Sequence, residues 1–274
     1  MLLLHSEIYI IKAGILGSIF FEILCILGCT TFAGGISYKE QRFRKHILSM
    51  MASCTTSASV LLLTTTALNG FGEPSSPTDQ SIIVLSRGIS VIALVVFVIY
   101  QVFRLKTHAL FYIIDEFDTD HEEREDNSPS PRTVTTEAVH LISLTVALIF
   151  WFLCTRYFVK SIGPITKQNH ITKSFLGVVL LPVATNSEAC ISGIILGTRD
   201  KVERVVVSIG GTILETILFH VPLLVLLGWV VKEPMELNFH PGQALILFFV
   251  ILTFSYLAGI GFSNYFSGVL LIAG

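Results

Sequence analysis

The sequence predicts an all-α polytopic membrane protein built from two related halves of opposite orientation. Three observations support this fold class: the composition, a series of long apolar segments and an internal repeat. The chain has 274 residues, of which 52% are hydrophobic and only 14% are charged, whereas soluble domains carry about 25% charged residues. Most of the chain is therefore expected to lie in a lipid bilayer.

Long apolar segments recur along the chain, and a transmembrane helix needs about 20 such residues. Segments of sufficient length lie at about 8–36, 47–70, 81–103, 137–162, 174–197, 203–231 and 241–261. A last apolar segment, from Ser263 to Gly274, is too short to cross the bilayer. We therefore expect about eight transmembrane segments, the last of them cut short at the C-terminus.

A hydrophilic linker at 104–133 divides these segments, and its acidic core is DEFDTDHEEREDNSPSPR at 115–132. This composition is typical of a disordered or weakly helical surface segment. Regulatory Ca²⁺ binding by the acidic run is left open beside a plain solvated linker. The predicted domains are a first repeat at 1–103 with three spans, the linker, and a second repeat at 134–274 with about five.

Lysine and arginine set the predicted orientation. The loops at 39–45, 104–132 and 199–204 hold more of these residues than the loops of the opposite face, and basic loops stay in the cytosol. The acidic linker is then cytosolic, and the chain begins on the other side of the membrane. A start on that side without a signal sequence suggests missing upstream spans.

The internal repeat relates the first span to the sixth. Residues 17–22 (GSIFFE) and 210–215 (GGTILE) both place a glutamate five residues after a glycine, and Gly88 aligns with Gly268 in the third and last segments. Spans one to three therefore correspond to spans six to eight. About five spans per unit, an odd number, would invert the second unit relative to the first, a common plan among transporters.

Polar residues interrupt the first, fifth and sixth spans where a membrane helix should be most apolar. Carboxylates at that depth are costly and generally face a cavity or an ion pathway. The residues that we expect to bind a cation or protons are Ser18, Glu22, Thr185, Asn186, Ser187, Glu188, Thr212 and Glu215. The glutamates Glu22, Glu188 and Glu215 are the expected metal ligands, because Ca²⁺ prefers about six to eight oxygen atoms, some from carboxylates.

Each of these residues also has a structural interpretation. A glutamate could stay protonated and hydrogen-bond between helices, and Ser18 and Thr212 could serve as small packing residues. His220, expected to be buried before Pro222, could relay protons or simply bond to a neighbouring helix. Cys25 and Cys29 are one helical turn apart, which could suit a metal, but we interpret all five cysteines as small packing residues.

Several classes of protein are not expected. The spans hold no Ser/His/Asp or zinc-type spacing, so an enzyme is not predicted, and no resident cofactor is expected. Basic residues are not gathered with aromatics, which argues against nucleic-acid binding. The expected partners are the lipid bilayer, the transported cation and protons. A homo-oligomer is left open, although no residue pattern argues for one.

Several motifs resemble those of the Ca²⁺/H⁺ antiporter branch of the calcium/cation antiporter superfamily, fungal vacuolar type. Residues 13–35 resemble its first-repeat helix with a Gly-Ser-x₃-Asn pattern and a Phe-x-Gly-Gly end, and residues 85–108 resemble the helix before its acidic linker. The resemblance implies an inverted-repeat cation/Ca²⁺ exchanger fold, incomplete because the first repeat lacks its first helices. It also implies exchange of Ca²⁺, or a related cation, for H⁺ at a vacuole or another endomembrane.

The chain departs from that family at its Gly-Asn-x-x-Glu motifs. The first motif should lie before residue 1, and at the second Thr185 replaces glycine while Glu188 stands one residue early. One residue turns a helix by about 100°, which a local bulge could compensate. Glu22 and Glu215 replace a usual Asn and Gln and could supply ligands instead. The alternative function is a truncated, non-transporting membrane protein, a partner subunit or an incomplete gene model.

Overall fold

The structure, a computed structural model, describes residues 2–70, 78–107, 134–168, 172–231 and 241–274. It forms two compact units, one of residues 1–109 with 177–274 and one of residues 110–176. The acidic core of the predicted linker lies outside the described residues. The predicted domain boundaries at 103 and 134 stay a prediction.

The described chain is almost entirely helical, and we number its continuous helices as spans. Span 1 (2–37) joins α-helix Leu2–Phe20, π-helix Phe21–Leu27 and α-helix Gly28–Ser37. Span 2 is Lys45–Gly70, and span 3 (78–107) joins α-helix Thr78–Val102 and π-helix Phe103–Thr107. Span 4 is Val134–Gln168, and span 5 (173–198) joins Lys173–Phe175, π-helix Leu176–Leu180 and α-helix Leu181–Thr198. Span 6 (202–231) joins α-helix Val202–Glu215, π-helix Thr216–His220 and α-helix Val221–Val231, span 7 is Pro241–Ile260, and segment 8 is Tyr265–Ala273.

Seven helices among the described residues are long and apolar enough to cross a membrane, so the predicted seven full spans and the all-α polytopic fold are confirmed. Helices suit a bilayer because they satisfy every backbone hydrogen bond within the segment. Large apolar side chains are exposed on spans 3, 5 and 7, as on a surface that contacts lipid.

Spans 1 and 5 run parallel and pack closely along most of their length. A Cβ added at Gly14 would lie 2.7 Å from Leu181 Cδ2, and one at Gly193 would lie 3.2 Å from Ile26 Cγ2. Residue numbers thus rise together along both helices. Small residues let membrane helices approach closely, which explains the glycines at this contact.

Segment 8 packs antiparallel against the second half of span 1. A Cβ at Gly28 would lie 2.8 Å from Ile272 Cγ1, whereas one at Gly268 would overlap the backbone of Phe32. Span 6 packs in the same way against span 3, where the Phe97 and Phe219 rings stack at 4.9 Å. Under the predicted repeat, span 1 corresponds to span 6 and span 3 corresponds to segment 8. The two helix pairs are therefore equivalent, and their similar packing supports the repeat.

Spans 2 and 7 pack against each other between these pairs. The hydroxyl oxygens of Thr56 and Ser255 lie 2.7 Å apart, and the Ser255 hydroxyl also donates to the Ala52 carbonyl at 3.2 Å. Buried apolar residues of spans 1, 2, 6 and 7 form one continuous core, which includes Ile23, Leu48, Ile213 and Phe254. This core holds spans 1 and 6, the two glutamate-bearing helices of the repeat, in place.

Two of the three loops predicted to be cytosolic meet in the structure. Strand β1 (Gln41–Arg42) pairs antiparallel with strand β2 (Phe262–Ser263), and Gln41 Nε2 donates to the Gly197 carbonyl at 3.0 Å. Arg44 forms an ion pair with Glu203, with 2.7 Å between Nε and Oε1. The loops at 39–45 and 199–204 therefore lie on one face, as the basic-loop pattern requires.

Candidate cation-binding site

Glu22 is a carboxylate in the interior of the helical bundle. Its side chain is 7% exposed, and its Oε2 atom has no hydrogen-bond partner among the described residues. It lies at the start of the π-helix Phe21–Leu27, and short π-helical segments are frequent at functional sites. Since a buried, unpaired carboxylate is costly, Glu22 needs either a proton or a cation.

The part of span 5 opposite Glu22 follows from the register of the two parallel helices. Gly17 packs against Pro182, with 2.8 Å between an added Cβ and Pro182 Cγ, and the Cys25 and Cys190 sulfurs lie within 4.8 Å of each other. Glu22 lies between these two contacts along span 1. Glu22 therefore lies at the same level as the polar turn at 185–188 of span 5.

Asn186 lies on the side of span 5 that faces span 1. It occupies a helical stripe whose other members are Pro182, Cys190, Gly193 and Gly197, all buried or half-buried. Its Nδ2 donates to the Pro182 carbonyl at 3.1 Å and to the Thr185 hydroxyl at 3.2 Å. Both bonds use the nitrogen, so the amide oxygen is the atom left to bind a cation.

Glu188, Thr185 and Ser187 lie on the exposed side of the same helix. Glu188 and Ser187 line an open groove of about 450 Å³, together with Ile191, Ser192, Ile195 and Leu196. The helix Leu181–Thr198 is a regular α-helix, and the π-helix of span 5 ends before it. No bulge within this helix therefore turns Glu188 toward the side of Asn186.

Glu215 forms a second polar position on span 6. It is half-buried, and its Oε1 accepts a hydrogen bond from Gln101 Nε2 of span 3 at 3.5 Å. The Thr212 hydroxyl, one turn earlier, donates to the Ser208 carbonyl at 3.1 Å. Glu215 directly precedes the π-helix Thr216–His220, whereas Glu22, its counterpart in the repeat, lies within the π-helix Phe21–Leu27.

The expected ligands do not all converge. Among the described residues, Glu22, Glu188 and Glu215 do not form a group of carboxylates within 4.8 Å of one another. Ser18 is half-buried one turn before Glu22, and residues four apart share a helix face. Ser18, Glu22 and Asn186 therefore lie at a similar level of spans 1 and 5, whereas Glu215 and Gln101 are hydrogen-bonded between spans 6 and 3, with Thr212 one turn before Glu215.

The predicted burial of His220 is wrong. Its side chain is exposed, with its ring 5.4 Å from that of the adjacent Phe219. The buried stripe of span 6 passes instead through Ile217, Val221 and Val225, and residue 220 falls outside it. A role for His220 as a proton relay stays untested.

Sequence reasoning missed Gln101 as a partner of Glu215. The two residues are separated by 114 positions, so no local pattern joins them. The available signal was an amide at the end of an otherwise apolar run, IALVVFVIYQVF. It also missed that Cys190 approaches Cys25 and Cys29.

The fold and these two polar positions define an integral membrane protein with acidic side chains inside its helical bundle. The profile of the family described as sodium/calcium exchanger protein matches residues 1–106 and 139–274. The chain belongs to the sodium/calcium exchanger protein family. The resemblance deduced from its motifs is thereby confirmed.

Curated relatives match almost the whole chain. The chain is 28% identical over 270 residues to a vacuolar calcium ion transporter of Schizosaccharomyces pombe, covering 98% of this chain and 63% of that protein. It is 28% identical to a Ca²⁺/H⁺ antiporter of Aphanothece halophytica, covering 97% of this chain and 72% of the relative. It is 29% identical to vacuolar cation/proton exchanger 2 of Arabidopsis thaliana, covering 98% and 61%. The chain thus spans less than two thirds of the yeast and plant relatives.

A solved structure, described as native YfkE, has the same fold. Its TM-score is 0.72 at 22% identity, with 99% of this chain and 74% of that chain covered. This match confirms the exchanger fold predicted from the resemblance.

Proposed function

We propose that this chain is a secondary transporter that exchanges Ca²⁺, or a related cation, for H⁺ across a vacuolar or other endomembrane. The observation that carries the proposal is Glu22, a buried carboxylate with an unpartnered oxygen at the level of the polar turn of span 5. The relatives named as a calcium transporter, a Ca²⁺/H⁺ antiporter and a vacuolar cation/proton exchanger support it.

The proposed mechanism is competition of Ca²⁺ and protons for the same carboxyl groups. A buried carboxyl favours its neutral, protonated form, whereas a neighbouring cation favours the charged form. When Ca²⁺ enters, Glu22 releases its proton and becomes a ligand, with the Asn186 amide oxygen and the Ser18 hydroxyl as neutral ligands. When protons return, the neutral carboxyl releases the cation. Ca²⁺ is cargo in this mechanism, and no resident cofactor is proposed.

Ca²⁺ carries two positive charges, so a single carboxylate leaves a net positive charge in a region where charge is costly. We therefore expect a second carboxylate to take part in the exchange. Glu215 is half-buried on span 6, and span 6 contacts the π-helix that holds Glu22. Glu188 lies on the same polar turn as Asn186 but on its exposed side. These two glutamates are therefore the candidates for the second carboxylate.

The direct test uses the purified 274-residue chain in proteoliposomes with an imposed pH gradient. We expect ⁴⁵Ca²⁺ uptake that rises with the amount of protein and disappears when the gradient is collapsed. Absence of uptake by folded, monodisperse protein would overturn the proposal and favour a non-transporting membrane protein.

Separate replacement of the two candidate carboxylates tests their roles. We expect Glu215→Gln to lower uptake by at least about tenfold, as for the loss of a residue that supports a metal site. Glu188→Gln should lower uptake to a similar extent only if Glu188 is the second ligand. The measurement is the initial rate of ⁴⁵Ca²⁺ uptake, and full activity of both variants would contradict a second carboxylate.

A further inference from the structure

We propose that Cys25, Cys29 and Cys190 form a binding site for a soft metal cation that links span 1 to span 5. Their three sulfur atoms all lie within 4.8 Å of one another. This site is distinct from the oxygen ligands around Glu22, because it offers only sulfur. From the sequence, only Cys25 and Cys29 could be paired as possible metal ligands, and the structure adds Cys190 as a third.

The spacing of the three sulfurs fits coordination of one metal ion. A metal–thiolate bond is about 2.3 Å long for zinc, so ligand sulfurs around one ion lie about 4 Å apart. Cys25 and Cys29 are four residues apart and share one helix face, while Cys190 approaches from the other helix.

Close packing on both sides holds the three thiols together. Toward one end, Gly17 packs on Pro182, with 2.8 Å between an added Cβ and Pro182 Cγ. Toward the other end, Gly193 packs on Thr30, with 2.6 Å between an added Cβ and Thr30 Oγ1. Because both contacts bring spans 1 and 5 close together on either side of the cluster, the three sulfurs lie near one another before an ion binds.

The chemistry of the ligands selects the kind of cation. Thiolates favour soft metals, whereas Ca²⁺ and Mg²⁺ favour oxygen. A divalent ion such as Cd²⁺ would displace two thiol protons to the solvent and form two metal–thiolate bonds. The third sulfur would then coordinate as a neutral thiol, so the complex would carry no net charge within the membrane.

The test measures Cd²⁺ binding to the purified full-length chain through the ultraviolet charge-transfer absorption of cadmium–thiolate bonds. We expect one Cd²⁺ per chain, with absorption that excess Ca²⁺ does not remove. Cys190→Ser should weaken binding by about 100-fold or more, beyond the effect of losing an outer-sphere partner of a metal. Binding to the protein should also raise the melting temperature of the wild type but not that of Cys190→Ser.

The matched control removes the two cysteines outside the cluster, Cys54 of span 2 and Cys154 of span 4. The Cys54→Ser/Cys154→Ser double variant should bind Cd²⁺ like the wild type. The proposal is overturned if this double variant loses the site, if Cys190→Ser keeps it, or if folded wild-type protein shows no charge-transfer absorption. Neither readout depends on transport, so the site can be tested whatever the outcome of the uptake experiments.

Discussion

Glu22→Gln is expected to abolish proton-driven Ca²⁺ uptake. Glutamine keeps the size and most of the hydrogen-bonding capacity of glutamate, but it carries no negative charge and cannot exchange a proton. Glu22 is 7% exposed with an unpartnered Oε2 among the described residues, so no solvent replaces the lost charge. We expect the initial rate of uptake to fall by about 100-fold or more. Loss of a residue that only hydrogen-bonds to a metal ligand already lowers metal affinity or activity by about 10–100-fold.

The variant should remain folded, because it replaces a costly buried carboxyl with a neutral group. Thermal unfolding in detergent, measured beside ⁴⁵Ca²⁺ uptake, separates loss of the site from loss of structure. Glu22→Asp keeps the charge on a shorter side chain and should retain part of the activity. Glu40→Gln, at an exposed position after span 1, is the control and should transport like the wild type.

Uptake by Glu22→Gln at the wild-type rate would contradict the assignment of Glu22 as the exchanging carboxyl. Glu215 and its neighbours Gln101 and Thr212 would then become the primary site. Loss of uptake together with a large fall in melting temperature would instead assign Glu22 a structural role.

The membrane spans could be predicted from sequence because the bilayer imposes one requirement on every span. Each must be apolar over about 20 residues and helical throughout, so composition alone locates it. The same requirement makes buried acids conspicuous, and Glu22 and Glu215 were found in this way. The π-helix that contains Glu22 and the one that follows Glu215 were not predicted, since no composition marks a π-helix.

The residue of the polar turn on span 5 that faces span 1 could not be predicted, because it depends on the side of span 5 against which span 1 packs. Asn186 and Glu188 are two residues apart, and a helix turns by about 200° over that distance. Only one of them can face span 1. The contacts of Gly193 and Gly197 with Thr30 select the side of Asn186, and these contacts join residues more than 160 positions apart.

Gly17→Val is expected to lower the stability of the protein strongly. A Cβ added at Gly17 would lie 2.7 Å from Val178 Cα and 2.8 Å from Pro182 Cγ. Backbone and a proline ring cannot move aside as a flexible side chain can, so spans 1 and 5 must separate. Overpacking of a close contact costs about 1–3 kcal/mol and sometimes more, and we expect at least the upper end of this range. The measurement is the unfolding free energy in mixed micelles.

Gly88→Val is the matched control, because it makes the same substitution within span 3 at an exposed glycine whose added Cβ has no neighbour within 4 Å. Equal stability of the two variants would contradict the close approach of spans 1 and 5. Gly17→Ala tests function separately from stability. Its smaller side chain should push spans 1 and 5 apart less than valine does, but should still shift Asn186 relative to Glu22. If Gly17→Ala has the unfolding free energy of the wild type but takes up Ca²⁺ slowly, the spacing of these two side chains limits exchange. If it transports like the wild type, the glycine serves packing alone and the cation must tolerate a wider site.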